Sequence, residues 1–135
     1  MTLDGIPLFG LLKGRLQHLS ERQKVIAENV ANADTPGFTP RDLKPFTAAG
    51  MRAPVAGGVA LARTSAMHIA GSQPHRTPWK PVASPGSETT LDGNSVVLEE
   101  EMIRLGEART HYDAAIGLYQ KSLGLLRTAA RRPGG

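Results

Sequence analysis

The side chains that could do chemistry are few and scattered. Histidines stand at positions 18, 68, 75 and 111, and no two share the i, i+4 spacing that would present a metal from one helical face. The sequence contains no His-Glu-x-x-His, no glycine-rich phosphate loop, no Gly-x-Ser-x-Gly turn and no EF-hand loop. The densest group of carboxylates is Glu99-Glu100-Glu101. It is expected as a solvated acidic first turn, favoured by the positive end of a helix. His111 falls beside an apolar seam, so packing is expected of it in place of ligation. The absence of cysteine excludes disulfides and thiolate metal sites. No catalytic residue, metal site or cofactor is expected.

The rest of the composition narrows the class. In 135 residues only 4% are aromatic, while 15 are Gly and 10 are Pro, which is poor material for a large compact core. With 40% hydrophobic and 21% charged residues, wholesale disorder is not expected either. No apolar run approaches the ~18 residues of a membrane span, and Met1-Thr2-Leu3-Asp4-Gly5 lacks the basic stretch and cleavage site of a secretory leader. The net charge of +4 permits an anionic partner. The basic residues are spread along the chain, however, and Lys13, Arg15, Arg22 and Lys24 surround the polar side of the first helix without concentrating on one face. A basic helical nucleic-acid-binding protein is therefore only the remoter alternative, and loss of binding at modest salt would be its signature.

Two long elements must therefore carry the molecule. Phe9, Leu12, Leu16, Leu19, Gln23, Ile26, Val30 and Ala33 recur at alternating gaps of three and four, a heptad seam with one polar member. Leu98, Met102, Leu105, Arg109, Tyr112, Ile116, Tyr119, Leu123 and Leu126 repeat the pattern, again with one polar member. Pro36-Gly37 stops the first helix. Asn94 or Ser95 is the expected N-cap of the second, and Pro133-Gly134-Gly135 ends it. Between them, residues 36–93 hold eight prolines and seven glycines, so the middle is expected to be irregular, with Val59-Ala60-Leu61-Ala62 as a short strand. The predicted fold is mainly α: an N-terminal helical segment 1–35, an irregular centre 36–93 and a C-terminal helix and tail 94–135. The two helices are expected to form an antiparallel coiled-coil pair. The favoured register pairs Phe9 with Leu126, Leu16 with Tyr119, Gln23 with Tyr112 and Val30 with Leu105. A second stripe on the C-terminal helix, Ala108, His111, Ala115, Leu118, Ser122, Leu125 and Ala129, would stay wet in a monomer and is expected to receive helices of other subunits.

Between the helices lies the most informative segment. Asn29-Val30-Ala31-Asn32-Ala33-Asp34-Thr35-Pro36-Gly37-Phe38 resembles the Asn-x-Ala-Asn-x-x-Thr-Pro-Gly-aromatic motif that ends the first helix of bacterial flagellar rod and hook proteins. Arg41-Asp42 and Phe46 continue the likeness. Leu61 to Ile69, with Thr64 and His68, is similar to that family's central segment, and Asp92 to Met102, with Tyr112 beyond, is similar to its C-terminal helix. Gly106-Glu107-Ala108 and Val97 depart from the usual pattern. The motif also has its own physics. Asn29 and Asn32 can bond the last free carbonyls of the helix or a neighbouring backbone. Pro36 presets the first corner of a turn, Gly37 can take the positive φ that a type II turn needs next, and Phe38 is left as an apolar anchor.

The resemblance implies a structural subunit of the flagellar basal-body rod at its membrane-proximal end, part of the shaft that carries torque from motor to hook. It implies export by the flagellar type III apparatus without cleavage. The partners implied are copies of the chain itself, other proximal rod subunits, the adaptor protein FliE, and the membrane ring or export gate at the rod base. Another rod member or an adaptor is the nearest alternative.

Overall fold

The computed structural model describes residues 7–48 and 78–131. Four elements follow in order: helix α1 (Pro7–Ala31), strand β1 (Arg41–Leu43), strand β2 (Pro81–Ala83) and helix α2 (Leu98–Ala130). The expected strand at Val59 to Ala62 and the segment around Thr64 and His68 lie outside the described residues.

Helix α1 opens with Pro7, whose missing N–H is unneeded in the first turn. It closes at Ala31 where the Asn32 amide donates to the Glu28 carbonyl at 2.7 Å, satisfying one of the carbonyls that a helix end leaves open. Ala33, the last position of the predicted seam, therefore lies in a turn beyond the helix. The chain then reverses at Thr35-Pro36-Gly37-Phe38. The Phe38 N–H donates to the Thr35 carbonyl at 3.2 Å, and Gly37 has φ +70°, as a type II turn requires.

Strands β1 and β2 are antiparallel, with Arg41 opposite Ala83 and Leu43 opposite Pro81. Pro81 is tolerated because it begins a strand in a two-stranded sheet. Backbone bonds continue past the sheet: Ser84 N–H to the Pro40 carbonyl, Ser95 N–H to the Phe38 carbonyl, and Gly86 N–H to the Ser95 carbonyl. Gly86 packs tightly there, since a Cβ would stand 2.5 Å from the Ser95 oxygen.

Helix α2 starts later than the predicted cap. Its N-cap is Val97, which offers no side-chain bond. Asn94 is unavailable for capping because its amide donates to the Asn32 and Thr35 carbonyls at 2.9 and 2.7 Å, while its Oδ1 accepts from the Val96 N–H. The side chain that was expected to start one helix instead ties down the end of the other.

The core is small. Phe9, Leu12, Leu19, Val25 and Ile26 of α1 are buried with Leu43 of β1 and Ala108 and Ala115 of α2. Phe9 meets Tyr119 edge-on, with ring centroids 5.3 Å apart, and Asn29 bonds Glu101 at 2.9 Å. These contacts correct the expected register, which placed Phe9 on Leu126 and Gln23 on Tyr112. Phe9 meets the residue one heptad before the expected Leu126. A polar constraint outweighs the apolar count that favoured the longer overlap: a buried carboxylate must find its donors, and this register supplies the Asn29 amide to Glu101.

The face of α2 is corrected with it. Leu98 is exposed, Met102 is 60% exposed, and Arg109 lies in solvent. Leu105, Tyr112, Ile116, Tyr119, Leu123 and Leu126 are half-buried. Ala108 and Ala115, expected on a wet stripe, are buried within the chain, on the face that carries Glu101 and Tyr119.

Candidate functional site

The polar side chains with the most partners converge where α1 ends, β1 begins and α2 starts. Asn29, in the last turn of α1, is fully buried, which demands a partner for every polar atom. Its amide donates to the Arg41 carbonyl at 2.7 Å and to the Glu101 carboxylate at 2.9 Å, and its Oδ1 accepts the Arg41 N–H at 2.9 Å. One side chain thus closes a two-way bond with the backbone of β1, as a neighbouring strand would, and spends its remaining hydrogen on α2. Glu101 is 1% exposed and also receives the Arg104 guanidinium at 2.7 Å. This corrects the reading of residues 99–101 as one solvated run: Glu99 is exposed, Glu100 accepts from the Ser87 N–H at 3.2 Å, and Glu101 is the buried centre of the junction. Hydrogen bonds from Ser87 hold Glu100 below the usual carboxylate range.

Asn32, one turn on, bonds Glu28 and accepts from the Thr35 hydroxyl at 3.1 Å. Asn94 reaches the same turn from the opposite side. The chain enters Asn94 through a three-residue reversal, Leu91-Asp92-Gly93, closed by the Gly93 N–H to the Thr90 carbonyl and the Thr90 N–H to the Asn94 carbonyl. Gly93 has φ +82° and sits against Gly37, whose Cα would lie 3.4 Å from an added Cβ. Two left-handed glycines thus stand back to back, bridged by the Gly37 N–H to the Asp92 carbonyl at 2.9 Å. The Asp92 carboxylate accepts from the Thr90 hydroxyl and the Asn94 N–H, in that order of effect, which lowers its pKa. Asp34, Thr35 and Pro36 are exposed on the outside of the turn, and Phe38 is half-buried beneath it.

A second clamp ties β1 to the middle of α1. Arg22 binds Asp42 through two parallel bonds, Nε to Oδ1 at 2.9 Å and Nη2 to Oδ2 at 2.8 Å. Burial by itself raises the pKa of Asp42, but the Arg22 bonds and charge, with the Leu43 N–H, outweigh it and hold the carboxyl below its ordinary value. The same hydrogen bond to Asp42 raises the pKa of Arg22. Arg41 makes an exposed pair with Glu28 at 3.2 Å.

This geometry joins segments. Among the described residues, no group of three or more His, Asp or Glu side chains could hold a metal ion, and no helix is long and apolar enough to cross a membrane. His111 is exposed, contrary to its expected packing role, as are Leu118, Leu125 and Ala129, while Ser122 is half-buried. The sequence reading placed Asn29, Asn32, Arg41 and Asp42 in the motif but missed Glu101 as their partner. The signal was present: Glu101 stands one heptad before Ala108 and two before Ala115, so it extends the buried line of α2.

Residues 12–39, from the first buried leucine of α1 through the turn, match the family of flagella basal body rod proteins. Over 114 residues the chain is 37% identical to the flagellar basal body rod protein FlgB of Agrobacterium fabrum, covering 83% of this chain and 84% of that one. FlgB of Aeromonas hydrophila is 32% identical over 134 residues, 94% of this chain and 96% of that protein. FlgB of Salmonella typhimurium is 32% identical over 111 residues, at 72% and 73% coverage. The chain belongs to the FlgB family of flagellar basal body rod proteins. Likeness to the FlgB proteins extends well beyond residues 12–39, which end at the turn. A FlgB-family chain is a structural component, and the junction fits that role: Asn29 and Asn94 bond the backbone of other segments, and Glu101 ties Asn29 to α2.

Proposed function

We propose that this chain is a structural subunit of the proximal rod of the bacterial flagellar basal body, part of the shaft that transmits torque from motor to hook. The observation that carries the reading is likeness to FlgB proteins over most of both chains. The two helices act as an antiparallel pair. This is supported by the start of α1 meeting the far part of α2 at Phe9 and Tyr119, and its end meeting the start of α2 at Asn29 and Glu101. A lone pair of this kind buries little, and α2 keeps Leu98, Met102, Ile103, Leu118 and Leu125 exposed. Those side chains, with the outer stripe His111, Ser122 and Ala129, are the surface offered to neighbouring subunits. The partners are further copies of the chain, other proximal rod subunits, FliE, and the membrane ring or export gate at the base. Delivery is by the flagellar type III apparatus without cleavage.

The test is a deletion of the gene in its own cell, scored by motility and by electron microscopy of isolated basal bodies. Loss of the rod above the membrane ring, restored by the intact gene, is the expected result. Rods of normal length without this chain would overturn the proposal.

A further inference from the structure

Among the described residues, His18 is a buried group that the junction does not explain. It lies in the middle of α1 at 3% exposure, on a face that receives β1 and the residues after it. Its Nε2 donates to the Lys44 carbonyl at 2.8 Å, which fixes the hydrogen on that nitrogen, because a carbonyl only accepts. Nδ1 is buried and has no hydrogen-bond partner. The ring forms a three-membered cluster with two aromatics, Trp79 at 5.2 Å with planes nearly perpendicular and Phe46 at 5.6 Å, and those two are 6.2 Å from each other. The Arg15 guanidinium lies 5.5 Å over the Phe46 ring.

The placement in the chain gives this cluster its meaning. Phe46 is where the chain leaves the sheet for the long central segment, and Trp79 is where it returns to β2. His18 is therefore the point on α1 at which both ends of that segment are gathered.

We propose that His18 is a pH-sensitive latch, which when neutral clasps Phe46 and Trp79 to α1 and when protonated releases those two side chains while the helices stay intact. A proton on Nδ1 would create a second N–H in a buried site without an acceptor, a cost comparable to any buried unsatisfied donor and larger for a charged one. The charged groups around it decide the sign. From α1, Arg15 and Arg22 both repel an imidazolium; from β1, Asp42 attracts it but is already committed to Arg22 through two bonds; the segment after β1 contributes the Lys44 carbonyl, which Nε2 occupies in either state. Burial first, then the two arginines, lower the His18 pKa against the opposing effects of the Lys44 bond and Asp42. A histidine harder to protonate folded than unfolded withdraws its stabilisation as pH falls below the ordinary value of 6.5. The Asp42 carboxyl is held below its ordinary value by the Arg22 bonds, so the clamp persists as His18 titrates and the latch opens before the strand detaches.

Trp79 is the sole tryptophan of the chain and reports the clasp directly. Between pH 8 and 4.5 the purified full-length chain should show a red shift of tryptophan emission with a midpoint below 6.5, while far-UV circular dichroism of the helices changes little. In His18→Gln, whose amide can still donate to Lys44 but does not titrate, the emission transition should vanish. The imidazole resonances of His18 in the unsubstituted chain give a check that needs no variant: their titration midpoint should coincide with the emission midpoint. A flat emission profile, a transition that survives His18→Gln, or a His18 midpoint at or above 6.5 would each overturn the latch.

Discussion

At the scale of single residues, the junction is a set of polar groups that have no alternatives. Asn29 satisfies both hydrogens and its oxygen within a fully buried site. Asn29→Ala would leave the Arg41 backbone groups and one Glu101 oxygen without their donors or acceptors, and is expected to lower stability by about 3 kcal/mol, as read by chemical denaturation. Asn29→Asp should be worse at neutral pH, because it places a second carboxylate beside Glu101, and should partly recover on mild acidification as the pair takes up a proton. Alanine cannot show that recovery, so the two variants separate lost hydrogen bonds from introduced charge. Gly37 isolates a different effect. An added side chain there meets open space, so the cost is conformational alone. Gly37→Val is expected to destabilise by more than ~1 kcal/mol and to impair rod assembly. The need for amides and a left-handed glycine was legible in Asn29, Asn32 and Gly37. Their partner Glu101 was not, because three consecutive glutamates read as one solvated turn until the helix is rotated into place.

At the scale of elements, apolar spacing alone does not set a register. Apolar spacing made a pairing of Phe9 with Leu126 attractive, since it matched every member of the first seam. Spacing repeats every heptad, however, so it fixes a register only up to multiples of seven. The polar layer breaks that degeneracy, because Asn29 and Glu101 meet in one register only. Cysteines placed at Phe9 and Tyr119 in this cysteine-free chain are expected to be bridged by a short bifunctional thiol reagent in dilute protein, and cysteines at Phe9 and Leu126 are not. Equal yields from both pairs would mean that the helices slide. The strand-to-helix clamp makes a separate prediction. Because Asp42 has its pKa lowered in the fold, its contribution is complete above the ordinary carboxylate value and is lost as pH falls through the lower folded value. Below about pH 4 the native chain should therefore lose stability more steeply than Asp42→Asn, in thermal melts taken across the acid range. The sheet itself was not legible. Pro81 and its neighbouring prolines argued against a central strand, and the pairing of residues 41–43 with 81–83 depends on a long-range closure that no local pattern announces.

At the scale of the whole molecule, the described core is small and α2 keeps large apolar side chains exposed, so the proposed rod contacts have a surface on which to act. Fold class and family could be read from two heptad repeats and one turn motif, since those are local patterns. Which face of α2 belongs to the chain and which to the assembly could not, because the two stripes interleave. Ala108 and Ala115 went inward, while Leu118 and Leu125 remained out at 56% and 63% exposure. That division gives the sharpest test of the assembly surface. Leu118→Asp and Leu125→Asp replace exposed apolar groups in a solvated helix face, so each should change the stability of the isolated chain by no more than about 0.5 kcal/mol. In a packed rod the same carboxylate would have to be buried against another helix without a partner, at a cost of several kcal/mol for each subunit contact. The expected outcome is a folded, normally helical monomer, seen by circular dichroism, and cells without rods or motility. Substitution of Ala108 by Asp should reverse the order, unfolding the monomer first, since that position is fully buried within one chain. If Leu118→Asp and Leu125→Asp both support normal rods, neighbouring subunits do not cover this face, and the apolar surface at Leu98, Met102 and Ile103 must carry the contact instead.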